Sequence, residues 1–314
     1  MFHLNINEDD SSLDIALAYF DDGYNVVPLQ RSNKKPPSFL GSWEQYKETR
    51  PSRELVESWF KDRDNLQVAL VCGKFVVVDG MDGVGKSEFL NVFIKESKND
   101  GKRVFDVHQF WKENNYHPNV NDIIGNYDVL ITSEPTFVTV GTVIREELIA
   151  KNGRDYSPES VAEAYALDRR ILYEQLILPC LEAGINVFQS RSFSTSIIFQ
   201  RLSAQKLGRS LSFDSILKIP GNAFCYQHPF DFLIIPTVDD ARKVIERIGK
   251  RDKDDNCIFE NLEFQNTVKK VFESEEFQEV FTRVGTKVVY MDAGKTLEYS
   301  KQQAREFYLN NLKE

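Results

Sequence analysis

No stretch of this 314-residue chain approaches the roughly 20 consecutive apolar residues that a membrane-crossing helix needs. Cysteine is scarce: Cys72, Cys180, Cys225 and Cys257 are scattered, with no CxxC pair and no histidine cluster beside them. That argues against a disulfide framework and against zinc, and favours a reducing compartment. The opening MFHLNINEDDSS is acidic, so it lacks the basic start of a secretory or transit signal. A cytoplasmic protein is expected. An excess of basic charge is missing too. With a formal net charge of −9, the surface as a whole does not attract nucleic acid, and any anion site must be local. There is no internal repeat, no coiled-coil heptad and no low-complexity tract.

What is present suits a globular chain. Hydrophobic residues make up 41% and charged residues 28%, and the length allows one large domain or two modest ones. Residues 1–73 hold short elements separated by polar breaks. Leu13 to Phe20 has helical spacing, Asn25 to Leu29 is strand-like with Pro28 marking an edge or an end, Ser52 opens a helix to about Phe60, and Val68 to Val71 is a short strand. From Lys74 onward, strands alternate with helices. FVVVD, YDVLIT, INVFQS, FDFLIIP and KVVYMD are short continuous apolar runs, as in a parallel sheet covered on both faces. Helical patterns fall at Ser87–Lys95, Thr142–Ala150, Ser157–Ala183 and Thr237–Ile248. The expected fold class is a doubly wound α/β domain over residues 74–314, preceded by a small α+β segment.

FVVVDGMDGVGKS reads as a strand, then Gly80-x4-Gly85-Lys86-Ser87, then an apolar-periodic helix through Phe89, Leu90 and Phe93. Such a loop wraps its backbone N–H groups around a phosphate at a helix N-terminus. The lysine then bridges the outer phosphates, and the Ser87 hydroxyl can ligate Mg²⁺. Gly80, Asp82, Gly83, Val84, Gly85, Lys86 and Ser87 are thus the candidate ATP-binding residues. A competing use of Asp79 and Asp82 as a two-metal pair is weakened by their spacing, which turns them to different faces of an extended chain.

Downstream, LITSEPTFVTVGTVIREEL, AYALDRRILYEQLILPCLEAGINVFQSRSFSTSIIFQ and RKVIERIGKRDKDDNCIFENLEFQNTV follow the loop in an order that resembles thymidylate kinases. The resemblance covers about three-quarters of the chain. It implies a nucleoside monophosphate kinase fold with a lid near residues 242–260, ATP and Mg²⁺ as donor components, and a homodimer. It also implies roles: Asp82 meets the acceptor sugar, and Glu134 sits near the metal and the reacting phosphates. Arg145 and Arg191 hold the acceptor phosphate. Tyr165 stacks on the base, with Arg169 and Gln200 reading it. Arg247 and Arg251, one helical turn apart, close over the donor phosphates alongside Lys86, since the loop itself carries no arginine at Gly83 or Val84. The catalytic set is then Lys86, Glu134, Arg247 and Arg251. One departure stands out: Ser190-Arg191-Ser192 occupies the place of the family's Asp-Arg-Tyr, which leaves a metal-organising aspartate to be replaced.

Bland readings accompany these roles. Arg169 and Arg170 can form solvated helix pairs with Glu163 or Glu174, and Tyr165 can be a core residue. Ser194 and Thr195 read as caps of the following helix. His108 and His117 read as surface or packing residues, in a stretch (Val107–Asn126) with no family counterpart.

The segment ALAYFDDGYNVVPLQRSNKKPPSFLGSWEQYKETRPSRELVESWFKDRDNLQVALVCGK resembles the opening of archaeal-type primase–polymerase domains. The acids and histidine expected next in such a domain are replaced by the kinase strand, so an auxiliary or docking module is expected rather than a polymerase. The leading expectation is dTMP + ATP giving dTDP + ADP. The alternatives are a kinase for another nucleotide or nucleoside, and a catalytically weak nucleotide-binding replication accessory.

Overall fold

A computed structural model of the chain describes residues 9–47, 49–240, 242, 244 and 262–313. The N-terminal segment packs helix α1 (Ser12–Asp21) and helix α2 (Arg53–Phe60) on an antiparallel ribbon of β1 (Val26–Gln30) and β2 (Leu66–Leu70). Ser11 and Asp14 close a capping box on α1, and the Ser52 hydroxyl accepts from the Leu55 N–H at the start of α2. Pro28 sits in β1, which pairs with β2 alone, so the missing N–H costs no second ladder. Ala16, Tyr24, Val26, Val56, Trp59, Phe60 and Leu66 form this segment's own apolar cluster.

The chain then passes Gly73 into the larger unit. A Cβ on Gly73 would lie 2.1 Å from the Ile185 carbonyl oxygen, so only glycine allows this close crossing.

Six parallel strands form the main sheet in the order β4 (Val104–Asp106), β5 (Val129–Ser133), β6 (Asn186–Ser190), β3 (Phe75–Val78), β7 (Phe232–Thr237), β8 (Lys287–Asp292). Every residue of β3 and β5 is buried, because helices cover both faces. Helix α3 (Lys86–Asn99) follows the phosphate loop, and its Phe93 packs against Phe307 and Tyr308 of the C-terminal helix Leu297–Asn311. The registers Val78↔Ser190 and Ser133↔Ser190 align the carboxyl ends of β3, β5 and β6. Asp79, Glu134 and Arg191 are the next residues of those strands. The three therefore emerge side by side at the sheet edge where α/β folds bind ligands.

Several expectations change. The stretch Val107–Asn126 holds a helix, α4 (Val107–Asn114), which follows the unforeseen edge strand β4. Three residues of strand were too short a run to stand out. The helix expected over Thr142–Ala150 is one α-turn, α5 (Val140–Val143), followed by a π-helical turn, Ile144–Leu148. The long helix over Ser157–Ala183 forms as α6 (Pro158–Leu172) and α7 (Leu178–Glu182), joined by a π-helical turn at Tyr173–Ile177. Thr237 ends β7 rather than starting a helix, and most of the expected helix beyond it lies outside the described residues.

Candidate active site

The phosphate loop is shaped by Gly83 and Gly85, whose φ angles of 76° and 98° lie in the left-handed region. The loop delivers Lys86 and Ser87 to the first turn of α3. Lys86 is buried, and its Nζ donates to the carbonyls of Gly80 at 3.0 Å and Met81 at 2.7 Å. Its ammonium is thus held inside the loop mouth. Ser87 is exposed beside a cavity of about 270 Å³ that Gly83, Val84, Gly85, Glu88 and the post-β8 residues Ala293 and Lys295 also line.

Asp79 closes the floor of this loop. It is fully buried; its Oδ1 accepts from the Gly80 N–H at 2.8 Å and from Thr195 Oγ1 at 2.5 Å, and its Oδ2 accepts from Ser194 Oγ. Ser194 and Thr195 are therefore not caps, as their position suggested. They lie inside helix α8 (Phe193–Lys206), whose N-cap is Ser192, and they tie it to the phosphate-loop strand. Three donors on a fully buried carboxylate spend Asp79 on holding the loop and α8, which argues against the two-metal reading of Asp79 and Asp82.

Asp82 faces the other half of the site. Its Oδ1 pairs with the Arg191 guanidinium and lies 3.9 Å from Lys86 Nζ, while its N–H donates to Gln265 Oε1 at 3.2 Å. Arg191 sits at φ 63°, a strained setting for a non-glycine residue. It is held there by its own N–H, which donates to the Val78 carbonyl at 3.0 Å. Gln265 carried no motif in the sequence; its position beyond the lid stretch was the only signal, and only the folded chain brings it to the loop.

Glu134 and Arg169 form a buried pair at 2.6 Å, 3% and 1% exposed. Glu134 Oε1 also accepts from Gln189 Nε2 at 2.9 Å, and Arg169 donates to Asn222 Oδ1 and to Ser196 Oγ. Burial pushes the Glu134 carboxyl up to about 7, with Arg169 and Gln189 opposing. Burial acts against the Arg169 charge, yet Glu134 raises its pKa overall, so the guanidinium stays ionised. Arg169 is therefore not in a solvated pair with Glu163 or Glu174; it anchors Glu134. Arg170 does take the solvated role, pairing with Glu174 at 2.9 Å.

Arg145 donates from Nε to the Thr136 carbonyl at 2.9 Å and from its terminal nitrogen to the Pro135 carbonyl, with its guanidinium carbon 3.8 Å above the Phe137 ring. Asp168 Oδ2 accepts from the Thr136 N–H at 2.8 Å, and its Oδ1 from Thr136 Oγ1 at 2.7 Å, so α6 fixes the same loop. Tyr165 lies half-buried on α6, and Gln200 is 2% exposed on α8. Arg247 and Arg251 lie outside the described residues.

The model of the thymidylate kinase family matches residues 123–303, more than half of the chain. The chain belongs to the thymidylate kinase family. A thymidylate kinase of Exiguobacterium is 25% identical over 251 residues, which cover 77% of this chain and 97% of that protein. One from Caldicellulosiruptor saccharolyticus is 28% identical over 243 residues, covering 77% and 98%. The solved thymidylate kinase of Candida albicans shares the fold, with a TM-score of 0.52 and 17% identity over 77% of this chain and 93% of that one. A second family model, the N-terminal domain of bifunctional DNA primase/polymerases, matches residues 16–115. The two matches do not overlap, and the second runs through β3, the phosphate loop, α3 and β4 to the end of α4. Among the described residues, no helix is long and apolar enough to cross a membrane.

Proposed function

We propose that this chain is a cytoplasmic phosphotransferase that moves the outer phosphoryl group of ATP to a nucleoside monophosphate, dTMP foremost. The observation that carries the reading is the meeting of Asp82 with Arg191. Their pairing joins the donor loop to the β6 end, where the family holds its acceptor. Phosphoryl transfer demands mostly positioning and charge stabilisation, so a cationic side chain fixed between two substrates suits it.

In this reading Lys86 exchanges its two carbonyl partners for the outer phosphates of ATP, and Gly80 to Gly85 wrap them. Arg191 and Arg145 grip the acceptor phosphate by paired N–H donors. Asp82 accepts from the acceptor sugar, Tyr165 covers the base, and Gln200 contributes to reading it. Glu134, fixed by Arg169 and Gln189, faces the reacting phosphates. Arg247 and Arg251 supply transition-state charge from the lid. A homodimer and a docking role for residues 1–73 complete the proposal. Asp79 lies sealed within the primase–polymerase-like span and supports no polymerase chemistry.

The residues present fit a magnesium ion carried mainly by phosphate oxygens and water. Ser87 presents its hydroxyl at the cavity, while among the described residues no group of three or more His, Cys, Asp or Glu gathers to cage a metal. Bound there, Mg²⁺ would neutralise charge on the transferred group. With Ser190 in place of an aspartate, Glu134, Asp79 or Asp82 would order its waters.

A coupled ADP-release assay over a panel of nucleoside monophosphates tests the proposal. Preferred turnover of dTMP is expected. Equal rates for all pyrimidines would remove the thymidylate assignment. ATP binding without turnover of any acceptor would favour the nucleotide-binding accessory reading instead.

A further inference from the structure

The edge strand β4 and helix α4 bring a relay of three side chains to the acceptor end of the site. Asp106 caps α4: its Oδ1 accepts from the His108 N–H at 3.0 Å and lies 2.7 Å from the ring Nδ1. The opposite ring nitrogen, Nε2, is 2.7 Å from Ser133 Oγ. Burial opposes the Asp106 charge, but His108 holds this carboxyl below its ordinary value. An ionised Asp106 can only accept from the Nδ1–H, so the carboxylate orients the ring, and Nε2 shares the second hydrogen bond with the Ser133 hydroxyl.

The same imidazole touches the far end of that loop. Its ring meets Phe137 edge-on at 5.9 Å and Trp111 at 5.5 Å. Phe137 in turn lies under the Arg145 guanidinium. Between Ser133 and Phe137 stand Glu134, whose carboxylate anchors on Arg169, and the Pro135 and Thr136 carbonyls that receive Arg145. His108 thus contacts both ends of a five-residue segment on which two proposed site residues depend. Asp106 and His108 precede the span matched by the kinase family.

An Asp–His–Ser relay can also activate a nucleophile, and the surroundings exclude that here. Ser133 is 7% exposed, and the N–H of the next residue, Glu134, already donates to the Ser190 carbonyl at 2.9 Å. The hydroxyl is thus closed to an incoming substrate, and the neighbouring N–H is not free to bind an oxyanion.

We propose that His108 is a positioning residue of the acceptor site, bracing residues 133–137 so that Glu134 and Arg145 stay in place. This rests on the kinase reading. The test is steady-state kinetics with dTMP and ATP on His108→Ala, His108→Gln, Ser133→Ala and the His108→Ala/Ser133→Ala double variant. Amide exchange of residues 133–137 is followed in parallel. We expect His108→Ala to raise the acceptor KM about tenfold with the ATP KM within about twofold, the size of one lost charge-assisted contact. His108→Gln, whose side-chain amide can still bond Ser133, should recover most of the loss. Ser133→Ala removes a single oxygen and should reproduce part of the effect, adding nothing to His108→Ala. Equal changes in both KM values, no rescue by glutamine, or additive losses would overturn the proposal. Wild-type protein that turns over no acceptor would sink the kinase reading alone. The brace is then decided by exchange: faster at 133–137 in His108→Ala if correct, unchanged if not.

Discussion

Glu134 at the end of β5 and Arg169 on α6 meet at 2.6 Å in a setting almost closed to water, and Gln189, Asn222 and Ser196 complete their hydrogen bonds. Removing one partner strands the other charge in the interior. Glu134→Ala should therefore lower the unfolding free energy by on the order of 3–5 kcal/mol, read from denaturant titration. An unchanged midpoint would mean that the pair is solvated in solution.

The same pair predicts a pH dependence. Burial raises the Glu134 carboxyl from 4.5 to about 7, so folding favours its protonated form. Its contribution to stability is then fully present below about pH 4.5 and is lost as pH rises through about 7. Between pH 5 and 8, wild-type stability should decline relative to that of Glu134→Gln, which cannot titrate. Parallel stability curves would show that Glu134 is not the titrating group.

Lys86 makes hydrogen bonds to two loop carbonyls and stands 3.9 Å from Asp82. Lys86→Ala should leave the melting temperature within a few degrees while lowering kcat by at least about 100-fold, because the lysine acts on developing phosphate charge. A variant with near-normal turnover would move the donor site elsewhere.

Arg191 faces Asp82 from the acceptor side. Arg191→Ala should raise the KM for the acceptor monophosphate by roughly 10- to 100-fold, the worth of a charge-assisted contact, with ATP affinity little changed. Initial-rate kinetics with each substrate varied in turn would separate the two. A rise confined to the ATP KM would reverse the assignment of sides.

Gly221 lies where the helix Pro220–Tyr226 crosses α6, and a Cβ there would stand 2.0 Å from the Ala166 carbonyl oxygen. Gly221→Ala should cost about 1–3 kcal/mol through forced displacement of α6. Since α6 carries Tyr165 and Arg169, the acceptor KM should rise as well. Thermal melting and kinetics on the same sample check both, and an unaffected melting temperature would show that the helices part easily.

Much of this was legible in the chain itself. Continuous apolar runs such as FVVV and VLIT specify buried parallel strands, because only a sheet covered on both faces can hide every side chain. Glycines at fixed spacing before Lys86 and Ser87 specify the phosphate loop, since no other residues adopt those backbone angles freely. Tertiary structure decided the rest. The partner of Glu134 is 35 positions away, and nothing local distinguishes Arg169 from Arg170, which turns outward one residue later. Ser194 and Thr195 have the chemistry of caps, and only the approach of α8 to β3 gives their hydroxyls to Asp79. His108 reads as a surface or packing residue until a three-residue edge strand sets it against Ser133. Local pattern determines which segments become strands, loops and helices. Which charged and polar groups face one another depends on how those segments pack, and burial then determines how much each contact matters.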